Sequence, residues 1–246
     1  SDMDKSLPER LFYAVGSDWQ WSQPNDIIPP ARTIIRQAID VDGADRLHVL
    51  YRDQIFGLGE TGIYHMLASA EEAWSATAWS APRLVSVRGR SYAADLAIDG
   101  EGVIHAVFDD TGDAESEVCP ACADVYYRRS VDGGLTWSSP KNLGPSPMGG
   151  SRVQMALGAD SSIHVTWDEG WDRLSGRGDP LYSVYVSSLD GGLTWRRPMT
   201  ISQPVSRTVQ LTAGVDDRRG VMLVWRVVTR GYDGLYYQWS NDHGRR

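Results

Sequence analysis

Short segments of alternating apolar and polar residues follow one another along the chain, separated by stretches rich in glycine and aspartate. Alternation with a period of two is typical of β-strands that bury one face. One such segment recurs four times, as Leu47-His48-Val49-Leu50-Tyr51, Ile104-His105-Ala106-Val107-Phe108, Ile163-His164-Val165-Thr166-Trp167 and Met222-Leu223-Val224-Trp225. Another recurs as Ile63-Tyr64-His65-Met66, Val125-Tyr126-Tyr127-Arg128, Val184-Tyr185-Val186-Ser187 and Leu235-Tyr236-Tyr237-Gln238. The pattern predicts an all-β chain built from one repeated group of strands.

A tryptophan returns at a constant interval of 58 residues, and a proline follows each of these tryptophans three positions later. The four are Trp21, Trp79, Trp137 and Trp195. A unit of this length has room for four short strands, and a four-stranded sheet repeated about an axis is the blade of a propeller.

The residues that lead to the last two of these tryptophans read S-x-D-G-G-L-T-W in both copies. Asp-Gly-Gly tolerates a positive φ, the aspartate can accept backbone N–H bonds inside the turn, and the tryptophan can anchor the turn on the next layer. The residues with these structural roles are Ser130, Asp132, Gly134, Thr136, Trp137, Ser188, Asp190, Gly192, Thr194 and Trp195. The pattern resembles the Asp-box, or bacterial neuraminidase repeat, which lies between the third and fourth strands of each blade in sialidase-like β-propellers.

The resemblance implies a β-propeller, and the repeats predict about four four-stranded blades in a single domain over residues 11–246, after a tag or leader remnant that we expect at residues 1–10. The repeats cover approximately residues 34–90, 91–151, 152–207 and 208–246. The last repeat lacks its fourth strand, and residues 11–33 are expected to close the ring by completing that blade. The alternative is a partial propeller, or a larger one completed by another copy of the chain, which would make the protein a homo-oligomer.

In the family that the chain resembles, ligands bind on the face opposite the Asp-box turns. Loops between second and third strands, and the starts of first strands, would place arginines, carboxylates and a few aromatic rings on this face. Arginine binds carboxylates in bidentate fashion, so the face suits an anionic or polyhydroxylated ligand. The candidate ligand-binding residues are Arg36, Asp53, Phe56, Arg90, Asp109, Arg152, Asp168, Trp171, Arg207, Arg226 and Tyr232.

A simpler interpretation is that the arginines and aspartates pair weakly between neighbouring blades, as exposed charges often do. Phe56, Trp171 and Tyr232 have no counterpart in the other repeats. That difference favours a ligand-binding role for these three aromatic residues.

Sialidase-like catalysis would use an arginine triad, a Tyr–Glu pair and an aspartate acid/base, introduced by an Arg-Ile-Pro motif that this sequence lacks. No catalytic residue is therefore assigned. We expect a non-catalytic recognition module that binds a glycan or a small acidic ligand. One alternative is an exo-sialidase-like glycoside hydrolase or a fragment of one, and another is a structural propeller that binds a protein partner.

Three histidines occupy one repeated position of the second strand, namely His48, His105 and His164, with Leu223 as the fourth occupant. Stacked sheets lie about 10 Å apart, which is too far for these rings to share one ion, so packing between blades is predicted and no metal site is assigned. The acidic run from Asp109 to Glu115 lacks the ligand order of an EF-hand. No cofactor is expected, with calcium as the weaker alternative.

Cys119 and Cys122 are the two cysteines of the sequence, and they favour a local disulfide in an oxidising compartment, with free thiols as the alternative. The net charge of −8 disfavours a nucleic-acid partner. No apolar run is long enough for a membrane span. An extracellular, periplasmic or cell-surface location is expected.

Overall fold

The computed structural model describes residues 10–17, 19–27, 37–54, 61–87, 89–112, 122–145, 148–172, 177–201, 207–229 and 232–244. Regular structure in these residues consists of β-strands and one turn of 3-10 helix at Ala76–Ala78. All strand pairs are antiparallel. The all-β prediction is confirmed.

Four short strands come first, β1 (Phe12–Tyr13), β2 (Gly16–Ser17), β3 (Gln20–Trp21) and β4 (Asn25–Asp26). Sheet I follows with β5 (Ala38–Val41), β6 (Arg46–Gln54), β7 (Thr61–Ser69) and β8 (Arg83–Leu84). Sheet II contains β9 (Ala94–Ile98), β10 (Ile104–Asp110), β11 (Asp124–Ser130) and β12 (Lys141–Asn142). Sheet III contains β13 (Gly150–Leu157), β14 (Ile163–Asp172), β15 (Arg177–Ser188) and β16 (Met199–Ile201). Sheet IV contains, in the described residues, β17 (Arg207–Val215), β18 (Val221–Thr229) and β19 (Tyr232–Ser240).

Successive sheets pack face to face through layers of buried apolar side chains, so the four sheets follow one another in chain order. The first strands β5, β9, β13 and β17 are also neighbours in that order. Representative residues of the three layers are Leu50 and Phe108 between sheets I and II, Val107 and Trp167 between sheets II and III, and Tyr185 and Trp225 between sheets III and IV.

The sequence predicts that residues 11–33 complete the last sheet, but the described strands of this segment pair with one another and not with sheet IV. β1 pairs with β4 and β2 pairs with β3, while sheet IV has three strands among the described residues. Leu11 and Ile27 are buried instead against Leu47 and Val49, on the face of sheet I that lies away from sheet II. The segment packs at this place because that face of sheet I lets its apolar side chains leave the solvent.

The turns that carry the repeated motif are closed by their own side chains. In the first, Gly134 N donates to Ser130 Oγ (2.8 Å) and Thr136 N donates to Asp132 Oδ1 (2.9 Å). The turn from Ser188 to Thr194 repeats both bonds at 2.9 and 2.8 Å. Hydrogen bonds from Thr136 and Ser130 lower the pKa of Asp132 to about 2. These turns lie at one end of the sheets, so the loops between second and third strands lie at the other.

The three repeated histidines are fully buried and hydrogen-bonded within their own sheets. Their Nδ1 atoms face His65 Nε2 (3.0 Å), the Tyr127 hydroxyl (2.8 Å) and the Tyr185 hydroxyl (2.6 Å) for His48, His105 and His164 in turn. His48 shares its strand face with Leu50 and His105 shares its face with Val107, and both of these neighbours are buried against the next sheet. Third-strand rings contribute to the same interfaces, because Trp137 meets His65 and Trp195 meets Tyr127. The fourth occupant is Met222 and not Leu223, since Val221 lies opposite Ser240 as Ile163 lies opposite Ser188.

In sheet III the second and third strands extend into the connection between them, since β14 runs to Asp172 and β15 begins at Arg177. Trp171 pairs with Gly178 after a register shift at the positive-φ residue Gly170. A bulge at that glycine lets the hairpin continue past the expected turn. No helix of the described residues could span a bilayer.

Candidate functional site

A cavity of about 470 Å³ lies where the first strands of sheets II, III and IV converge. Backbone and side chains of β9, β13 and β17 form most of its wall. Its lining residues are Gln37, Ala93, Ala94, Asp95, Arg152, Val153, Gln154, Gln210, Leu211 and Thr212. The wall is therefore mixed, with carboxamides, a guanidinium and a carboxyl group beside small apolar patches.

Two β-bulges shape this wall. Arg152 and Gln210 both have φ = 57°, in the left-handed region that non-glycine residues rarely adopt. The register of β13 shifts between Ser151 and Gln154, and that of β17 shifts in the same way. Each bulge redirects the strand and exposes a polar side chain to the cavity. Strained backbone of this kind persists only where surrounding contacts hold it.

Asp168 on β14 holds both bulges. Its carboxylate accepts hydrogen bonds from Arg152 Nη1 (3.1 Å), from Ser183 Oγ (2.8 Å) and from the backbone N of Gln210 (3.0 Å). The residue is 1% exposed, whereas the Arg152 side chain remains 20% exposed. Asp168 is thus an internal anchor between sheets III and IV, and Arg152 is the group that can reach a ligand.

Asp95 is the carboxyl group of the cavity wall. Oδ2 of Asp95 accepts a bond from Met155 N of the next sheet (2.9 Å), and Oδ1 accepts one from Leu96 N (2.9 Å). Burial raises the pKa of Asp95 despite these bonds. A raised pKa means that this carboxyl group takes up a proton more readily than a solvent-exposed one, and in its protonated form it can donate a hydrogen bond.

A second carboxyl group lies beside the cavity. Asp109 at the end of β10 is 1% exposed, and its Oδ1 accepts bonds from Tyr92 N (2.6 Å) and Ala93 N (2.8 Å). Burial raises the pKa of Asp109 to about 7, and the positive charge of Arg52 acts in the opposite direction. The Arg52 guanidinium lies over the Tyr92 ring at 5.1 Å from its centroid.

The other predicted residues are dispersed. Asp53 lies at the end of β6, where its Oδ1 accepts a bond from Gln54 N (2.6 Å). Arg90 is exposed, and its backbone N donates to Thr111 Oγ1 (2.9 Å). Arg226 is exposed on β18, opposite Val209. The structure therefore brings Arg152 and Asp168 into contact, without adding Asp53, Arg90 or Arg226 to the cavity wall.

Five predicted residues lie wholly or partly outside the described part of the chain. Arg36 and Phe56 lie outside the described residues. The backbones of Trp171, Arg207 and Tyr232 lie in β14, β17 and β19, and their side chains are outside the description. Their roles in ligand binding stay predictions.

The predicted ring of equivalent arginines needs one correction. Arg207 does not correspond to Arg152, because the bulge in β17 lies at Gln210, 58 residues after Arg152. The sequence interpretation chose arginines by type and thereby missed Gln210, Gln154 and Asp95. The 58-residue interval, applied strictly, would have found Gln210.

The acidic run is organised by its own neighbours where it is described. Asp110 accepts bonds from Ser91 Oγ (2.7 Å) and Gly112 N (2.6 Å), and burial raises its pKa. The described residues contain no group of three potential metal ligands. Cys122 is disulfide-bonded, and Cys119 lies outside the described residues.

No protein-family model and no curated protein matches the chain, but solved structures do. An ulvan lyase, a polysaccharide lyase bound to GlcA(1-4)Rha3S, is 13% identical with a TM-score of 0.60 over 92% of this chain and 62% of its own. The α-L-arabinofuranosidase of Fusarium graminearum with arabinobiose is 11% identical, with a TM-score of 0.56 over 85% and 63%. The α-L-arabinanase of Penicillium chrysogenum with arabinobiose is 13% identical, with a TM-score of 0.58 over 96% and 67%.

The fold is a β-propeller. Identities of this size show the fold alone, and the chain spans less than two thirds of the length of the lyase and the arabinofuranosidase. These propellers are a lyase, an arabinofuranosidase and an arabinanase, so the likeness lies with carbohydrate-active propellers and is not specific to sialidases.

Proposed function

We propose that the protein is a non-catalytic recognition module that binds a glycan or a small acidic ligand in the central cavity, on the face opposite the repeated turns. The observation that carries the proposal is the pair of bulges at Arg152 and Gln210. Both put polar side chains on the cavity wall, and one buried carboxylate, Asp168, holds both in place. Preorganised polar groups on a rigid scaffold are what a specific ligand site requires.

The cavity wall offers the contacts that such a ligand needs. The Arg152 guanidinium can donate to a carboxylate or a sulfate, and the carboxamides of Gln154 and Gln210 can both donate to and accept from hydroxyl groups. The carbohydrate-active propellers of the same fold support the class of ligand, since their structures contain GlcA(1-4)Rha3S or arabinobiose.

A second candidate function is glycoside hydrolysis of the sialidase type. Asp109 favours it, because a carboxyl group with a pKa of about 7 is suited to act as a general acid. The near-complete burial of Asp109 and the saturation of Asp168 favour binding without turnover. A structural propeller that captures a protein partner is the third candidate, and the cavity is the feature against it.

An extracellular or cell-surface location fits this proposal. Disulfides persist in oxidising compartments, and Cys122 takes part in one. The two intact turns correspond to Asp-boxes under this proposal, so Trp137 and Trp195 have a structural role.

Isothermal titration calorimetry with a GlcA(1-4)Rha3S disaccharide and with arabinobiose tests the proposal. Arg152→Ala should weaken binding of the acidic disaccharide by about 10- to 100-fold, because it removes charge-assisted hydrogen bonds. Binding of arabinobiose, which has no charge, should weaken less. Gln154→Ala, whose exposed side chain takes part in no bond of the bulge anchor, should weaken both sugars.

Arg218→Ala is the matched control, because Arg218 is exposed on a turn at the opposite end of sheet IV. It should bind both sugars as the unchanged protein does. Equal affinity of Arg152→Ala and Arg218→Ala for the acidic sugar would refute the proposed site. Turnover of a fluorogenic sialoside would replace the proposal with the hydrolase.

A further inference from the structure

Trp195, the tryptophan of the second repeated turn, fills a pocket between sheets II and III. Its indole meets the Tyr127 ring edge to face, with centroids 4.8 Å apart. The indole also packs on the buried cluster that contains Leu143, Ile163 and Val165. The pocket therefore has one aromatic wall from a third strand and apolar walls from the fourth strand and the next sheet.

Trp137 fills the corresponding pocket between sheets I and II. Its indole meets His65 edge to face at 5.6 Å, and it packs on the cluster that contains Val85 and Ile104. Two successive interfaces thus close in the same way, each around the tryptophan of a repeated turn.

The third interface, between sheets III and IV, has a cavity of about 220 Å³ at this place. Four of its lining residues lie 58 positions after Tyr127, which Trp195 contacts, and after three members of the cluster on which Trp195 packs. They are Tyr185 after Tyr127, Ile201 after Leu143, Val221 after Ile163 and Leu223 after Val165. The walls of the filled pocket are thus reproduced around an open one.

The turn that would present a side chain to this cavity is also formed. Gly244 N donates to Ser240 Oγ (3.0 Å) and Ser240 Oγ donates to Asp242 Oδ1 (2.6 Å), as in the turn that begins at Ser188. His243 has φ = 59°, where Gly191 has 65°. The Tyr185 hydroxyl donates to His243 O (3.5 Å) as the Tyr127 hydroxyl donates to Gly191 O (3.4 Å).

We propose that this cavity is an indole-binding site, and that the ligand it fits is a tryptophan side chain held by the Ser240–Gly244 turn, three residues after Gly244. Trp137 and Trp195 stand in the same relation to Gly134 and Gly192. Tyr185 offers the ring edge or face that an indole prefers, and Val221 and Leu223 offer the apolar floor. The site is separate from the central cavity and does not depend on its function.

Two chains extended by one residue after Arg246, either tryptophan or alanine, test the assignment. The tryptophan extension should melt about 4 to 8 °C above the alanine extension, because it buries a large aromatic side chain. A second measurement uses 5-fluoroindole, whose ¹⁹F resonance should broaden saturably with the unextended protein. Broadening should persist with the alanine extension and disappear with the tryptophan extension, whose own indole occupies the pocket.

Leu223→Trp is a second way to occupy the cavity, because Leu223 lines it and is 7% exposed. It should also abolish the broadening. Equal melting temperatures of the two extensions, or equal broadening by both, would overturn the proposal. Concentration-dependent association that is lost in Trp21→Ala would overturn it too, since it would assign the pocket to an exposed indole of a second copy.

Discussion

His65 occupies the position that tyrosine holds in the next two sheets. Its Nε2 atom lies 3.0 Å from His48 Nδ1, and both rings are buried. Tyr127 and Tyr185 place a hydroxyl group at this point instead. Burial lowers the pKa of His65 to about 3, and the neighbouring His48 and Arg83 add to the effect. Sheet I therefore buries two imidazoles that must stay neutral.

A histidine whose pKa is lowered by folding makes the protein less stable in acid. The unfolded chain takes up the proton at an ordinary pKa of 6.5, whereas the folded chain resists it until about 3, so stability falls as the pH falls below 6.5. His65→Tyr should make the urea midpoint fall less between pH 7 and pH 5. It should also keep the bond to His48, as in sheets II and III.

Tyr127→His is the reverse variant, since it gives sheet II a second buried imidazole next to His105. Its urea midpoint should fall more steeply than that of the unchanged protein over the same pH range. Parallel pH profiles for all three proteins would show that this pair of positions does not control the acid response.

Asp109 should make the protein less stable as the pH rises, which is the opposite of the effect of His65. Both folded and unfolded states hold its proton below the ordinary pKa of 3.8, and ionisation then costs the folded state increasingly as the pH rises toward about 7. Asp109→Asn keeps an oxygen for the two backbone amides and removes the charge. The urea midpoint of the variant, relative to that of the unchanged protein, should be higher at pH 8 than at pH 4.5. A difference independent of pH would contradict the assignment.

At the scale of elements, the two adjacent glycines of the repeated turn meet different constraints. Gly191 has φ = 65° and open space around it, whereas Gly192 has φ = 80° and lies against the Tyr127 hydroxyl. Gly191→Ala should lower the free energy of unfolding by about 1 kcal/mol, because alanine is strained in the left-handed backbone conformation. Gly192→Ala adds a clash with a buried ring, so its cost should be about 3 kcal/mol or more.

Urea unfolding of the two variants measures this difference directly. Both retain the Ser188 and Asp190 bonds that close the turn. Equal losses of stability would show that backbone conformation alone, and not contact with Tyr127, selects the second glycine.

The strands and turns of this fold were predictable because each leaves a local signal. Period-two alternation marks β11, and the Ser-x-Asp-Gly-Gly pattern marks the turns through bonds that need those residue types. A β-bulge leaves no such signal, because one extra residue shifts the register without changing the composition. Arg152 was therefore predicted as a candidate by its charge, and Gln210 on the matching bulge was missed.

At the scale of the molecule, the packing of the sheets determines the position of the N-terminal segment and of the cavity, which local sequence patterns do not predict. Residues 11–33 carry strand signals that fit either end of the chain of sheets, and only the burial of Leu11 and Ile27 on sheet I resolves the choice. The same holds for the cavity, which exists only where three first strands converge. Sequence spacing predicts the parts, and the interfaces between sheets determine the site.

Sheet IV differs from sheets II and III in having an outer face with exposed apolar side chains. Leu235, Tyr237 and Trp239 alternate along β19 and are 79%, 74% and 51% exposed. Contiguous apolar surface on a strand that forms the edge of its sheet in the described residues favours association with other molecules. We therefore expect the protein to bind the dye ANS. Its apparent molar mass from light scattering should rise with concentration.

A pair of lysines on this face should suppress both signals. Leu235→Lys combined with Tyr237→Lys breaks the apolar row with like charges and removes little buried contact, so the melting temperature should change by no more than about 2 °C. Val131→Lys combined with Leu193→Lys is the matched control, because these residues are 72% and 64% exposed but isolated on turns. ANS fluorescence and light scattering should fall for the β19 pair and stay unchanged for the turn pair. A fall of similar size in both pairs would mean that added charge, and not the row on β19, controls association.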